Sequence, residues 1–107
     1  MSYWKKVCHL DDIAPFSGVA TLVNGEQVAI FRVNSDVYAL SNYDPFSDAY
    51  VLSRGLVGDR NGILKVASPI YKQNFDLLTG RCLDDENVRI PTWRTRVVDG
   101  IVQVEVQ

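Results

Sequence analysis

Two short proline-containing segments hold the side chains with the most informative chemistry: Asp44-Pro45-Phe46 and Ser68-Pro69-Ile70-Tyr71. Asp44 is a hard oxygen ligand, the Ser68 hydroxyl stays protonated, and a phenol such as that of Tyr71 binds iron only when it is deprotonated. Phe46 has no donor atom at all. None of the four offers a thiolate or an imidazole, so these residues do not make a site for a soft metal.

The two cysteines and the single histidine are the other candidates for metal or nucleophile chemistry. Cys8 and Cys82 have no metal-ligand spacing, so each is expected to pack as a small apolar side chain. His9 follows Cys8 directly, and neighbours on a strand point to opposite faces, which makes the two a poor ligand pair. No nucleophile–base–acid set can be assembled, so we expect no catalytic residue in this chain.

Loop carboxylates are the last candidate for a site. Hard oxygens that suit Ca²⁺ or Mg²⁺ come from six aspartates: Asp44, Asp48, Asp59, Asp76, Asp84 and Asp85. Their spacing follows no calcium-binding loop, and acidic loop residues usually face water. We therefore predict no metal site.

Composition indicates one globular domain over residues 1–107. Hydrophobic residues make up 47% and charged residues 22% of the chain, which is an ordinary balance for one modest core. The net charge of −2 gives no electrostatic footprint for nucleic acid or an anionic membrane. No apolar run approaches the ~20 residues of a membrane span, and no leader segment is recognised, which predicts a cytoplasmic protein.

The elements that must position the two segments are short strands joined by tight turns. Asn24-Gly25 and Asp99-Gly100 are two-residue hairpin signals, because both central residues of a type I′ turn need positive φ. Alternation along the last strand places three valines on one face, toward the core. The strands predicted outside the middle of the chain are Val19–Val23, Gln27–Val33, Val37–Ser41, Thr95–Val98 and Ile101–Val106.

The middle of the chain has a different texture. Residues 44–62 are rich in Asp, Ser and Gly, and they give a strand signal only at Tyr50-Val51-Leu52. Ile63–Ala67 and Phe75-Asp76-Leu77 are the next predicted strands. Many short strands with evenly spaced turns indicate an all-β sandwich or small barrel. Residues 43–80 are then an inserted subdomain, with the two proline-containing segments as loops at its tip.

The order of these elements resembles that of Rieske iron–sulfur proteins over essentially the whole chain. In Rieske centres one loop supplies Cys-x-His and the other Cys-x-x-His, and these correspond here to Asp44-Pro45-Phe46 and Ser68-Pro69-Ile70-Tyr71. The run Phe75-Asp76-Leu77-Leu78-Thr79-Gly80 is close to the tail of the second Rieske box. The resemblance implies a Rieske-like fold whose former ligand positions are Asp44, Phe46, Ser68 and Tyr71.

Within that family, the details are similar to the small subunits of bacterial assimilatory, NADH-dependent nitrite reductases. The segments that carry this similarity are Trp4-Lys5, Glu26–Arg32, Asp44-Pro45-Phe46, Val51–Gly55 and Ala67-Ser68-Pro69. The resemblance implies a non-catalytic subunit without a cofactor, docked on a large subunit that carries FAD, a [4Fe–4S] cluster and sirohaem and reduces nitrite to ammonium. Two alternatives stay open: a Rieske-type ferredoxin electron carrier with an atypical [2Fe–2S] site, and a cluster-free interaction module for another oxidoreductase.

The tip is the expected place of contact with the partner. If the loops persist without ligands, Phe46, Ile70 and Tyr71 project from the tip, and aromatic and Arg side chains are favoured anchors of interfaces. Arg54 and Lys72 flank them and complete the expected contact set. The alternative is that Phe46 and Tyr71 fold inward and fill the space that a metal would occupy. The sequence leaves the direction of both aromatic rings open.

Overall fold

The computed structural model describes residues 1–107 as an assembly of short strands with two 3-10 turns, at Leu10–Asp12 and Leu52–Arg54. The strands are β1 (Tyr3–His9), β2 (Ser17–Val23), β3 (Glu26–Val33), β4 (Asp36–Ser41), β5 (Tyr43–Asp44), β6 (Ala49–Tyr50), β7 (Leu56–Arg60), β8 (Ile63–Ala67), β9 (Asn74–Asp76), β10 (Thr92–Trp93), β11 (Thr95–Val98) and β12 (Ile101–Val106). The all-β prediction is confirmed. No helix in the structure has the length and apolar character that a membrane crossing requires; the cytoplasmic location stays a prediction.

The strands pair antiparallel in four small sheets. The largest has the order β10-β4-β3-β2, and a second sheet joins β1, β12 and β11. The middle of the chain forms the other two, a β5–β6 pair and a three-stranded β7-β8-β9 sheet. The two proline-containing segments both belong to this middle part: one begins at the last residue of β5, and the other directly follows β8.

The large sheet is the central layer of the molecule, and β3 is therefore buried on both faces. Val28 and Ile30 of β3 pack on one side with the alternate valines of β12. Phe31 packs on the other side with Phe75 of β9. A strand that is covered on both faces reads as a continuous apolar run, which explains the sequence of β3. The predicted inward face of β12 is confirmed, and the second cluster anchors the middle part of the chain to the central sheet.

Two-residue turns close the hairpins where their dipeptides predict them. Asn24 and Gly25 have φ values of 49° and 80°, and Asp99 and Gly100 have 52° and 77°. Only such backbone conformations match the twist of the flanking strands in a two-residue loop. The strand bounds predicted for β11 and β12 are reproduced by the structure.

The region between the two segments corrects the sequence interpretation. Asn61 and Gly62, with φ values of 53° and 86°, close a further hairpin between β7 and β8. β7 carries a glycine and two charged residues, so its propensity is weak and pairing with β8 determines its structure. The strand predicted at Tyr50-Val51-Leu52 is wrong in its extent: β6 ends at Tyr50, and Leu52 begins a 3-10 turn.

Candidate functional site

The two proline-containing segments meet through their side chains; we define loop 1 as residues 43–48 and loop 2 as residues 68–73. Ser68 Oγ donates a hydrogen bond to Asp44 Oδ2 at 2.5 Å. Both residues are fully buried, with 0% of their surface exposed. β5 positions Asp44, and the end of β8 positions Ser68. Two of the four predicted ligand positions are thus brought together at the base of the loops.

Asp44 is held as a carboxylate by hydrogen bonds alone. Ser47 Oγ donates to Asp44 Oδ2 at 2.8 Å, and the Phe46 backbone N–H donates to Oδ1 at 2.9 Å. None of the three ion pairs in the structure involves Asp44. Burial acts to raise the pKa of Asp44, but the hydrogen bonds from Ser68, Ser47 and Phe46 outweigh it and hold the pKa below its usual value. The buried group is therefore charged near neutral pH.

Loop 1 turns its aromatic side chain inward. Phe46 is half-buried against the cluster beneath the loops, and its ring centroid lies 6.2 Å from that of Phe75. The inward alternative is thus the one that the structure adopts for Phe46. Because of this packing we leave Phe46 out of the contact set proposed below, and its part in an interface stays a prediction.

Loop 2 exposes its middle residues, although Ser68 at its base is buried. Ile70 is 43% exposed and Tyr71 is 61% exposed. The Ser68 backbone N–H donates to Gln73 O at 2.9 Å and closes the loop at its base. Lys72 is exposed and has a φ of 67°, which turns the chain back toward β9. Tyr71 therefore does not fill the interior, and only the outward alternative applies to it.

Leu56, which the sequence interpretation missed, lies beside loop 2, and Arg54 precedes it by two residues. Arg54 is exposed at the end of its 3-10 turn, and Gly55 follows it directly. Gly55 lets the chain lie against Ala67, because a Cβ there would collide with the Ala67 carbonyl oxygen. Leu56, which pairs with Ala67, is 72% exposed. The signal that could have found Leu56 is the β7 hairpin, which places it next to loop 2. We define the tip surface by five exposed residues: Arg54, Leu56, Ile70, Tyr71 and Lys72.

The four residues predicted to stand at former ligand positions do not fit a [2Fe–2S] cluster. Both oxygens of Asp44 already accept hydrogen bonds, and the Ser68 hydroxyl is engaged as one of the donors. Phe46 offers no donor atom, and Tyr71 is turned to solvent. Soft thiolates or imidazoles, which iron–sulfur clusters require, are missing from all four positions.

The remaining candidates for chemistry are the two cysteines, His9 and the loop aspartates, and each has contacts of its own. The structure has no group of three or more His, Cys, Asp or Glu side chains that could hold a metal ion. Cys82 is buried in the core, and burial raises the pKa of the half-buried Cys8 thiol, with a smaller effect from Asp12. His9 is exposed, and its backbone N–H donates to the Asp12 carboxylate. The loop aspartates mostly accept hydrogen bonds from nearby backbone; Asp84, for example, accepts from Asn74 and pairs with Arg60.

Comparison with known proteins identifies the family. Residues 3–105 match the Rieske-like [2Fe-2S] domain family. The nitrite reductase (NADH) small subunit of Salmonella typhimurium is 52% identical over 106 residues, which are 97% of this chain and 98% of that protein. The chain belongs to the Rieske-like nitrite reductase small subunits. The NMR structure of the Escherichia coli protein NirD agrees, with a TM-score of 0.92 and 48% identity over 99% of this chain and 98% of that one.

The same family domain also occurs within a much longer chain. The nitrite reductase [NAD(P)H] large subunit of Klebsiella oxytoca is 42% identical over 101 residues, which are 94% of this chain but only 11% of that one. The domain is thus found both as a separate small subunit and as part of a large subunit. The family predicted from the resemblance over the whole chain is confirmed, and so is the Rieske-like fold.

Proposed function

We propose that this chain is the small, non-catalytic subunit of an NADH-dependent nitrite reductase, and that it docks on the large subunit, where nitrite is reduced to ammonium. The observation that carries the proposal is the presence of the same domain inside a nitrite reductase large subunit. Two modules that form one chain in one organism are expected to be in contact when they are separate chains in another.

The subunit works without a cluster of its own in this proposal. The donor set supports this, because a buried hydrogen-bond network uses Asp44 and Ser68, and the half-buried Phe46 ring packs against the core cluster. The redox cofactors, FAD, a [4Fe–4S] cluster and sirohaem, then belong to the large subunit. The role of this chain is to stabilise or orient the redox modules of its partner.

The tip surface is the proposed docking site for the large subunit. It combines three exposed apolar or aromatic side chains, Leu56, Ile70 and Tyr71, with two cations, Arg54 and Lys72. Tyr and Arg are enriched among the residues that contribute most to binding. Pro69 restricts the backbone of loop 2, which lowers the entropy lost on docking.

A titration of the separately purified large subunit with this chain tests the docking proposal. Complex formation should be seen by calorimetry or size-exclusion chromatography, and NADH-dependent nitrite reduction should rise with occupancy of the complex. If the large subunit alone has full activity and no complex forms at micromolar concentrations, the proposal is wrong. A complex that forms with a different oxidoreductase instead would favour the interaction-module alternative.

Iron content tests the cluster-free part of the proposal. The chain, purified under anaerobic conditions, should be folded, colourless and free of iron and sulfide. Absorbance between roughly 400 and 600 nm with stoichiometric iron, as [2Fe–2S] proteins show, would contradict it and favour the electron-carrier alternative.

A further inference from the structure

One hydrogen bond connects loop 1 to loop 2, the bond from Ser68 Oγ to Asp44 Oδ2. In a Rieske centre the cluster joins the same two loops, because each loop supplies ligands to it. We propose that Asp44 and Ser68 form a latch that replaces the cluster as the link between the loops and holds loop 2 in the conformation that presents Ile70 and Tyr71. The last part of this inference rests on the proposed docking function.

Ser68 is placed to act as the fixed point of loop 2. Its backbone N–H donates to Gln73 O at 2.9 Å and so closes the loop. Its hydroxyl oxygen lies 3.4 Å from the Ile70 backbone N–H, which donates to it, while the hydroxyl proton goes to Asp44. Movement of the Ser68 side chain would therefore change both the closure of loop 2 and the start of its exposed segment.

Asp44 is the corresponding hydrogen-bonding centre of loop 1. Its carboxylate accepts from Phe46 and Ser47, and its backbone oxygen accepts from the Asp48 N–H at 2.9 Å. The carboxylate thus organises loop 1 and reaches across to loop 2 at the same time. A hydrogen bond to a charged acceptor is among the strong ones. No cation competes for this acceptor, so the two loops share one anionic centre.

Complete burial makes the latch effective. Asp44 and Ser68 have no exposed surface, so water cannot easily replace either partner when the other is removed. A buried network that loses one member leaves the remaining polar groups unpaired. The consequence of breaking the bond should therefore appear in both loops, although the residues are 24 positions apart in the chain.

Asp76 provides a matched control. Its Oδ1 accepts from the backbone N–H groups of Leu78 and Thr79, so it organises its own turn as Asp44 does. It makes no side-chain bond to loop 1 or loop 2. A substitution at Asp76 should loosen its own turn and leave the coupling between the two loops unchanged.

Amide hydrogen exchange in the isolated chain tests the latch itself. For each substitution, the exchange rate is measured in the loop that does not carry it. Ser68→Ala should speed exchange of the Phe46 and Asp48 amides in loop 1 about tenfold, and Asp44→Ala should do the same for the residue-68 amide in loop 2. The double variant should be no faster than Asp44→Ala alone. Asp76→Ala should change neither loop. If Asp44→Ala does not fold, Asp44→Asn takes its place, with a smaller acceleration in the same direction.

Additive effects of the two substitutions, or acceleration confined to the substituted loop, would overturn the latch.

The affinity for the large subunit then tests whether the latch positions the docking residues. Ser68→Ala should weaken docking about tenfold, and it should weaken it far less when Tyr71 is already alanine, because the latch acts through the position of Tyr71. An unchanged affinity in Ser68→Ala with coupled exchange would mean that the latch holds the loops but does not position the docking residues. An unchanged affinity in Tyr71→Ala would refute docking through the tip surface, while the exchange result stands separately.

Discussion

Loop 1 and loop 2 lie side by side in the middle part of the Rieske-like fold, but their side chains differ in burial. Loop 1 places a charged carboxylate and an aromatic ring inside, where Asp44 is fully buried and Phe46 packs against Phe75. Loop 2 buries Ser68 and exposes the two residues that follow Pro69, Ile70 and Tyr71. A cluster in this fold both holds the loops together and faces a partner. In this chain we propose the first role for the hydrogen bond between Asp44 and Ser68, and the second for loop 2.

The difference in burial between the two loops should have its largest effect on the free energy of unfolding. Phe46→Ala should lower the free energy of unfolding by about 2 to 3 kcal/mol, less than for a fully buried phenylalanine, because the ring is half-buried. Tyr71→Ala should change it by less than about 0.5 kcal/mol, as exposed substitutions usually do. Urea denaturation of both variants measures the difference. Equal losses in the two variants would show that loop 2 is as much a part of the core as loop 1.

The affinity for the large subunit should depend more on loop 2 than on loop 1. Tyr71→Ala should weaken the affinity for the large subunit by about tenfold, or about 1.4 kcal/mol, if the ring is an anchor of the interface. Tyr3→Ala is the matched control, since Tyr3 is 55% exposed on β1 and lies outside both loops. Calorimetric titration of both variants against the large subunit gives the comparison. An equal loss in Tyr3→Ala would place the interface elsewhere or make it unspecific.

Sequence alone predicted most of the strands but not the contrast between the loops. The hairpins at Asn24-Gly25 and Asp99-Gly100 are local, because the φ values of two residues decide them. The direction of Phe46 depends on Phe75, which comes 29 residues later in the chain and is held beside the ring by the pairing of β9 with β8. Tyr71 is also an aromatic residue close behind a proline, so residue type could not separate the two.

The hydrogen bond between the loops also lies outside what the sequence signals. The family resemblance indicates Asp44 and Ser68 as substituted ligand positions. The residue types alone indicate only which metal each side chain could bind. A carboxylate and a hydroxyl that face each other satisfy each other instead, but this requires both to be buried at the same point. β7 was missed for a related reason, since pairing with β8 rather than local propensity determines it.

Acid should weaken the hydrogen bonds that Asp44 accepts in loop 1 and from loop 2. The pKa of Asp44 is lowered in the folded protein, so its contribution to stability is present above the usual carboxyl value of 3.8 and is lost as the pH falls through the folded-state pKa. Asp84, whose pKa is lowered chiefly by Arg60, adds a loss of the same sign. The wild-type free energy of unfolding should therefore fall below about pH 4, and the fall should be shallower in Asp44→Asn. Parallel pH profiles for the two proteins would mean that Asp44 is not a stabilising anion.

The smallest expected effect separates charge from backbone conformation in loop 2. Lys72 has a φ of 67°, a conformation that glycine adopts without the steric cost borne by other residues. Its Nζ donates to Pro69 O at 3.0 Å, but this exposed bond adds little to stability. Lys72→Gly should thus change the free energy of unfolding by less than about 0.5 kcal/mol, because relief of strain offsets the greater freedom of the unfolded chain.

Lys72→Ala removes the same charge but keeps the unfavourable backbone conformation, so it should be less stable than Lys72→Gly. If Lys72 faces an acidic part of the large subunit, both variants should bind two- to threefold more weakly, by roughly 0.5 kcal/mol, at low salt and lose part of the salt dependence. Equal affinities of wild type and both variants at low ionic strength would remove Lys72 from the docking site. Loss of affinity in Lys72→Ala alone would instead make the shape of loop 2, and not its charge, the feature that the partner recognises.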